Sequence, residues 1–262
     1  MAQIVRCALK ECLTKDLTID ELWRTTPPAK GVFELESILP LPATAQRYLR
    51  HAIQPGTTMW SAVRLKMHGS IRLNDAWLPF TGEQVNRWDR GFVWRAKVTM
   101  NHLPITGSDR WIDGEAEMRW KLLGIIPIMS ARSVDVTRSA AGRLNIEAMM
   151  MPTVWLGSDV RWNEYNATQA QALIRAHGED SLVDIAVDGV GAPHSFSASR
   201  WGNPAGSAFH YEDFGGLIEE ERTWCGVTIP SKLRLGWFCG TPRFDLPGGE
   251  FFRVTVDSAE FK

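Results

Sequence analysis

The sequence has little of what usually identifies a protein's class. Its four cysteines (Cys7, Cys12, Cys225 and Cys239) are too few and too scattered for a disulfide framework. We interpret Cys7 and Cys12 as two residues of one helix. No stretch approaches the roughly 18 uncharged apolar residues of a transmembrane helix. Charged residues interrupt every apolar run near the N-terminus, so no secretory signal is expected. These absences favour a reduced, cytoplasmic protein with no transmembrane segment.

Excess charge of one sign is also missing. The chain has 29 Lys and Arg residues against 30 Asp and Glu residues, a formal net charge of −1. Because phosphate binding needs a positive excess, nucleic acid is not expected as a partner. The Gly-x-Ser-x-Gly, Walker A, His-Glu-x-x-His and paired Cys-x-x-Cys motifs do not occur. The sequence therefore predicts no metal and no cofactor, and it leaves the oligomeric state open.

Tryptophan is present in excess, with 12 residues against three tyrosines. Two of the tryptophans lie in segments with a clear two-residue period. Trp94 alternates with polar residues in the segment 92–100, and Trp120 does so in the segment 116–122. This alternation predicts strands with one apolar face and one solvated face.

Helical patterns are few. Thr18 and Glu21 form a capping-box pattern before a short helix, and residues 41–53 have an apolar stripe at helical spacing. Apolar residues at helical spacing predict a third helix over 136–151, ended by Pro152. The segment 202–216 is expected to be a long loop.

About ten strands and two or three helices predict a mainly β (α+β) protein. So few short helices cannot cover so many strands laid flat. We therefore expect a curved antiparallel sheet or half-barrel, with helices covering or plugging its concave side. The alternative is a two-sheet sandwich with a dry core. Residues 1–30 are expected to form an N-terminal helical extension, and residues 31–262 a single cupped β domain.

Short motifs over about residues 40–261 resemble those of a bacterial family of unknown function. They include Leu41-Pro42, Arg47-Tyr48-Leu49, Trp77-Leu78-Pro79-Phe80, Gln84 and Gly91-Phe92-Val93-Trp94-Arg95-Ala96. The family has no assigned activity, so this resemblance implies no catalytic residues. The strand-rich pattern, with its late Gly226-x-x-Ile229-Pro230 segment, is similar to the half-barrel of the periplasmic lipoprotein carriers. That second resemblance implies a fold alone.

Several residues are candidates for a site inside the cup. Glu147 lies near the apolar face of the third helix, where it could act as an acid or base; alternatively it pairs with Arg143 on a solvated face. Gln84 and Asp109 either bind a ligand or cap turns. Arg200 either pairs with an anionic head group or with Glu147, or lies on the surface. Trp94, Trp120 and Trp162 either provide ligand-binding surface or fill the core.

These residues favour a soluble protein that binds a hydrophobic or amphipathic small molecule in a Trp-lined cavity. The alternative is a cofactor-independent cyclase, isomerase or hydrolase that acts on a hydrophobic substrate, with Glu147 as the acid or base. A third possibility is an interaction module that uses the segment 202–216. Whether the tryptophans fill the cup or line it separates these hypotheses.

Overall fold

A computed structural model describes residues 17–73 and 75–262 of the chain. The described residues form three α-helices: α1 (Ile19–Arg24), α2 (Ala43–Ala52) and α3 (Val134–Ile146). They also form thirteen strands: β1 (Ala62–Leu73), β2 (Ala76–Arg87), β3 (Gly91–Met100), β4 (Leu103–Ile112), β5 (Glu115–Leu122), β6 (Ile126–Ala131), β7 (Val160–Asn163), β8 (Gln169–Ala176), β9 (Glu179–Val187), β10 (Pro193–Gly202), β11 (His210–Trp224), β12 (Val227–Trp237) and β13 (Glu250–Phe261). The expectation for Cys7 and Cys12 concerns residues outside those described.

All thirteen strands belong to one antiparallel sheet, in the order β6-β5-β4-β3-β2-β1-β13-β12-β11-β10-β9-β8-β7. The N-terminal and C-terminal strands, β1 and β13, pair at its middle. The mainly β class predicted from the sequence is confirmed, with thirteen strands instead of about ten. The excess includes β6 and β7, which are too short or too uniformly exposed to show a two-residue period.

The sheet is curved, because α3 contacts strands from both of its halves. The helix packs against β3, β4 and β5 on one side and against β9 and β10 on the other. In a flat sheet, β5 and β9 would be roughly 40 Å apart at about 4.8 Å per strand spacing. A single helix is only about 10–12 Å wide. The sheet must therefore curl around α3, which occupies its concave side as expected.

The helix α1 packs on the opposite, convex face. Thr18 caps it: the Thr18 Oγ1 accepts a hydrogen bond from the Glu21 backbone N–H, and the Glu21 carboxylate accepts one from the Thr18 N–H. Its buried Ile19 and Leu22 contact a small cluster formed by Val85, Val93 and Ile112. This helix was predicted as part of an N-terminal extension without a position on the sheet; it lies here because alternate residues of β2 and β3 give the convex face an apolar patch of its own.

Two boundaries differ from the sequence-based expectation. The helix α3 ends at Ile146, and residues 147–150 continue as a 3₁₀ turn, so the predicted helix over 136–151 was too long. The strand β11 starts at His210, so the expected loop over 202–216 is shorter. At the first boundary the apolar spacing continues although the hydrogen bonds become those of a 3₁₀ turn, and at the second the residue composition resembles a loop although a strand begins.

Candidate functional site

A cavity of about 320 Å³ lies between α3 and the concave face of the sheet. Small-molecule sites in proteins commonly enclose about 300–1,000 Å³, so the volume suits a small ligand. Much of its lining is apolar, and the contributing side chains include Leu65, Met67, Phe196, Leu235, Phe251 and Phe252. The cup is therefore partly empty, unlike the dry core that a sandwich would have.

One wall of the cavity is a row of side chains that runs across neighbouring strands. Strand pairing aligns Leu65 of β1, Gln84 of β2, Trp94 of β3, Asp109 of β4 and Met118 of β5. All five line the cavity. Because directly opposed residues of antiparallel strands point to the same face, the register alone brings Gln84 and Asp109 to either side of Trp94. Both polar residues thus lie inside strands and not at turns.

The facing wall is one stripe of α3 and the turn that follows it. Ser133 caps the helix: the Ser133 Oγ accepts a hydrogen bond from the Val136 backbone N–H. Ser139, Arg143 and Glu147 then follow at intervals of four residues, which places them on the same helical face. All three line the cavity. The opposite side of the helix is fixed by Asn145, whose Nδ2 donates to the backbone oxygen of Glu179 at 2.8 Å.

Glu147 is the centre of a polar cluster on these two walls. Arg143 Nε donates to Glu147 Oε1 at 2.7 Å, and Asn86 Nδ2 donates to Glu147 Oε2 at 2.9 Å. Gln84 Nε2 donates to the same Oε2 at 2.5 Å, while Gln84 Oε1 accepts from Arg143 Nη2 at 3.0 Å. The expected Arg143–Glu147 pair therefore exists, but it is not on a solvated face, since each side chain is only 21% exposed.

Asp109 is the second carboxylate that contacts Arg143. Its Oδ2 accepts from Arg143 Nη1 at 3.4 Å, and its Oδ1 accepts from Trp120 Nε1 at 2.9 Å. Burial raises the pKa of the Asp109 carboxyl, although the charge of Arg143 and the Trp120 hydrogen bond both act to lower it. Arg143 therefore contacts two carboxylates, and its guanidinium lies over the rings of Phe92 and Trp94 at 4.6 and 5.5 Å.

Arg200 of β10 lines the cavity in a different setting. Its Nε and Nη2 donate to the backbone oxygen and Oγ of Ser139 at 3.1 and 3.2 Å. Its guanidinium lies over the rings of Phe214 and Trp237 at 4.6 and 5.4 Å. Burial, together with the charge of Arg143, lowers the pKa of Arg200 to about 9. The side chain is thus held in place by neutral partners.

The candidate residues from the sequence fall into two groups. Glu147, Gln84, Trp94, Asp109 and Arg200 all line the cavity. Trp120 lies behind this wall, 5.5 Å from the Trp94 ring and bonded to Asp109.

Trp162 lies elsewhere, packed against Trp155 and Tyr48 at ring distances of 5.5 and 6.2 Å. The tryptophans therefore do both things: Trp94 and Trp237 line the cavity, whereas Trp155 and Trp162 fill space beside it.

Sequence reasoning missed Ser139 and Trp237 as cavity residues. Ser139 precedes Arg143 by one helical turn, so the spacing would have placed it beside the arginine once α3 was accepted. Trp237 lies over Gly202 of the next hairpin: a Cβ added at Gly202 would be 2.1 Å from the indole ring. Gly202 of β10 and Trp237 of β12 are separated by β11, so this contact is visible only once the order and register of the strands are known.

Among residues 17–73 and 75–262, no group of three or more His, Cys, Asp or Glu side chains is arranged to hold a metal ion. None of the helices in these ranges is long and apolar enough to cross a membrane.

Comparisons with known proteins place the chain in a family and add three solved structures of low similarity. The model of a family of unknown function (DUF6920) matches residues 39–261. No curated protein matches the chain.

A LolA superfamily protein from Nitrosomonas europaea is 8% identical, with 84% of this chain and 92% of that chain covered and a TM-score of 0.41. A domain named for outer membrane lipoprotein sorting, from Vibrio parahaemolyticus, is 5% identical over 78% and 86% of the two chains, with a TM-score of 0.40. A DUF1329 family protein from Desulfovibrio piger is 8% identical over 84% and 92%, with a TM-score of 0.38.

Proposed function

The chain belongs to the DUF6920 family of unknown function, and we propose that it binds a hydrophobic or amphipathic small molecule in the cavity between α3 and the concave face of the sheet. The observation that carries this proposal is the composition of the cavity lining. The apolar lining includes side chains of β1, β12 and β13, and the charged groups Asp109, Arg143, Glu147 and Arg200 lie on α3, on the turn after it, or in contact with α3. Such a lining suits a ligand with an apolar body and a polar end.

The polar cluster supports binding over proton transfer. A carboxylate that binds its neighbours through both oxygens is well suited to orienting those neighbours. Both oxygens of Glu147 accept hydrogen bonds, from Arg143, Gln84 and Asn86. In these contacts Glu147 acts as a positioning group that fixes the orientation of Arg143. No contact favours the cyclase, isomerase or hydrolase alternative, so we do not propose it.

The experiment that tests the proposal is binding of the uncharged dye Nile red, whose fluorescence rises in an apolar site, before and after the cavity is filled. Met150 lines the cavity, so Met150→Trp should occupy much of its volume and reduce dye affinity at least about tenfold. Met129→Trp is the matched control, because Met129 is an exposed residue of β6. Equal dye binding by both variants would refute a ligand site in this cavity.

Native mass spectrometry of the purified protein adds an independent readout. A co-purifying small molecule that is present in Met129→Trp and missing from Met150→Trp supports the proposal and gives the ligand's mass. A molecule retained by both variants places the binding site elsewhere.

A further inference from the structure

We propose that the ligand carries a single anionic head group and that Arg200, with the hydroxyl of Ser139, is its receptor. This inference rests on the proposed function, since it names the chemical class of the molecule held in the cavity. It goes beyond that function because an apolar cavity with a polar edge would equally suit a neutral alcohol, ester or sterol.

The first argument is the charge balance of the cavity. Its charged lining consists of Asp109, Arg143, Glu147 and Arg200. The two carboxylates both bind Arg143, through contacts of 3.4 and 2.7 Å. Arg200 forms no ion pair with any described residue, and its hydrogen-bond partners are the two oxygens of Ser139. One cation of the cavity therefore has no counter-charge in contact with it.

The second argument is that the carboxylate opposite Arg200 on the neighbouring strand is engaged elsewhere. Strand pairing places Glu212 of β11 directly opposite Arg200. Its Oε2 lies 3.6 Å from Nε2 of His210. The carboxylates of Glu147 and Asp109 act on Arg200 only at longer range and are offset by Arg143. A desolvated guanidinium without a counter-charge is costly, so an anion supplied by a ligand would be strongly favoured here.

The third argument is the orientation of the guanidinium. The guanidinium lies over the rings of Phe214 and Trp237, with its central carbon 4.6 and 5.4 Å from the ring centres. These aromatic contacts supply no hydrogen-bond acceptor, so the N–H groups need other partners. Nε and Nη2 bind Ser139, and Nη1 has no hydrogen-bond partner among the described residues. Arg200 and Ser139 both line the cavity, so a carboxylate there can accept from Nη1 and from the Ser139 hydroxyl.

The surroundings of Arg200 limit the ligand to one charged end. Beyond Phe214 and Trp237, the lining continues with Leu235, Phe251, Phe252 and Val254, none of which offers a side-chain donor or acceptor. A molecule with a second charge would leave that charge unpaired in this apolar part. The site therefore fits an aliphatic or aromatic tail joined to one anionic group, as in a fatty acid anion.

The test compares two amphiphiles that differ in the head group alone, dodecanoate and dodecanol, by isothermal titration calorimetry at neutral pH. The wild-type protein should bind dodecanoate at least about tenfold more tightly than dodecanol. In Arg200→Gln, dodecanoate affinity should fall about tenfold, to the level of dodecanol, while dodecanol affinity stays the same. Arg161→Gln removes an exposed arginine of β7 and should change neither.

The outcomes separate this inference from the function on which it rests. Equal affinities of the wild type for both amphiphiles would overturn the anionic head group and leave the binding function intact. Dodecanoate binding that Arg200→Gln does not weaken would overturn the assignment to Arg200. Failure of the wild type to bind either amphiphile or Nile red would overturn the binding function itself. The wild-type comparison needs no variant, so a poorly folded Arg200→Gln cannot leave the inference untested.

Discussion

The concave side of the sheet contains two tryptophan-rich regions, one closely packed and one that borders a cavity. In the packed region, Tyr48, Leu49, Trp155 and Trp162 fill the space over β7 and β8, and Tyr48, Leu49 and Trp155 are at most 1% exposed. In the cavity region, Trp94 and Trp237 border about 320 Å³ of empty space. Met149 separates the two, because it lines the cavity and also accepts a hydrogen bond from the Tyr48 hydroxyl.

The difference lies in what contacts each indole ring. In the packed region tryptophan contacts tryptophan and tyrosine, and Trp162 Nε1 donates to the backbone oxygen of Trp155 at 3.1 Å. In the cavity region rings also contact rings, with Trp94 5.5 Å from Trp120 and Trp237 5.2 Å from Phe214, but arginine guanidinium groups lie over Trp94 and Trp237 in addition. A guanidinium over a ring brings charged N–H groups next to the adjacent space. The arginines therefore distinguish a tryptophan that lines the cup from one that fills it.

The strongest test of this comparison is to truncate one tryptophan in each region. Trp155→Ala should cost about 3–5 kcal/mol of unfolding free energy, because the ring is fully buried and its removal leaves a new void. Trp237→Ala should cost less than about half as much, because its ring already borders empty space. Urea unfolding of both variants measures the difference. Equal losses would show that the two regions are packed alike.

A smaller effect is expected when the polar cluster of the cavity region loses its central charge. Glu147→Gln should destabilise the protein by about 2 kcal/mol, because Arg143 loses a charged partner at 2.7 Å in a poorly solvated position. Glu164→Gln changes an exposed glutamate and is the matched control. The same urea unfolding measurement applies. An unchanged stability of Glu147→Gln would mean that the cluster does not support the cavity wall.

The sequence predicted the class of fold and five of the residues that line the cavity (Gln84, Trp94, Asp109, Glu147 and Arg200), and the physical reason is periodicity. A two-residue period shows which side of a strand each residue occupies, so the alternation alone assigns Trp94 and Trp120 to the apolar face. Periodicity does not show which strands become neighbours. The sequence therefore left Gln84 and Asp109 as either ligand-binding or turn-capping residues, and it is the register that places them on either side of Trp94.

The same limit explains the misplaced tryptophan and the missed arginine contact. Trp162 was grouped with Trp94 as a possible ligand-binding ring, but β7 lies at the far edge of the sheet. The contact between Arg200 and Ser139 joins residues 61 positions apart and depends on the sheet curling around α3. Curvature on that scale is a property of the whole sheet, and no local pattern encodes it.

Ligand binding should protect the cavity region from amide hydrogen exchange more than it protects the packed region. A ligand that binds only the folded protein stabilises it by about 1.4 kcal/mol at ten times its dissociation constant. With dodecanoate, amide hydrogen exchange should slow most in α3 and β10, which carry Ser139 and Arg200, and least around Trp155 and Trp162. Uniform protection of both regions would contradict a cavity that opens independently of the packed region.

The smallest expected effect is a change of stability with pH, and the test is the sign of that change. Burial raises the pKa of Asp109, so its favourable contribution is present at low pH and is lost as the pH rises through the raised value. Relative to the wild type, Asp109→Asn should therefore gain stability between about pH 3 and pH 7.

Glu250, outside the cavity lining, serves as the opposite case for the same measurement. Burial would raise the pKa of Glu250, but hydrogen bonds and charges from Arg234 and Arg253 outweigh it and lower the value to about 2. Its contribution is present above the unfolded value of about 4.3 and is lost as the pH falls through about 2. Between about pH 3 and pH 7, Glu250→Gln should therefore lose stability relative to the wild type, whereas Asp109→Asn should gain it. Urea unfolding of both variants at pH 3, 5 and 7 measures the two trends. Trends of the same sign would mean that Arg143 and the Trp120 hydrogen bond outweigh burial at Asp109, as Arg234 and Arg253 do at Glu250.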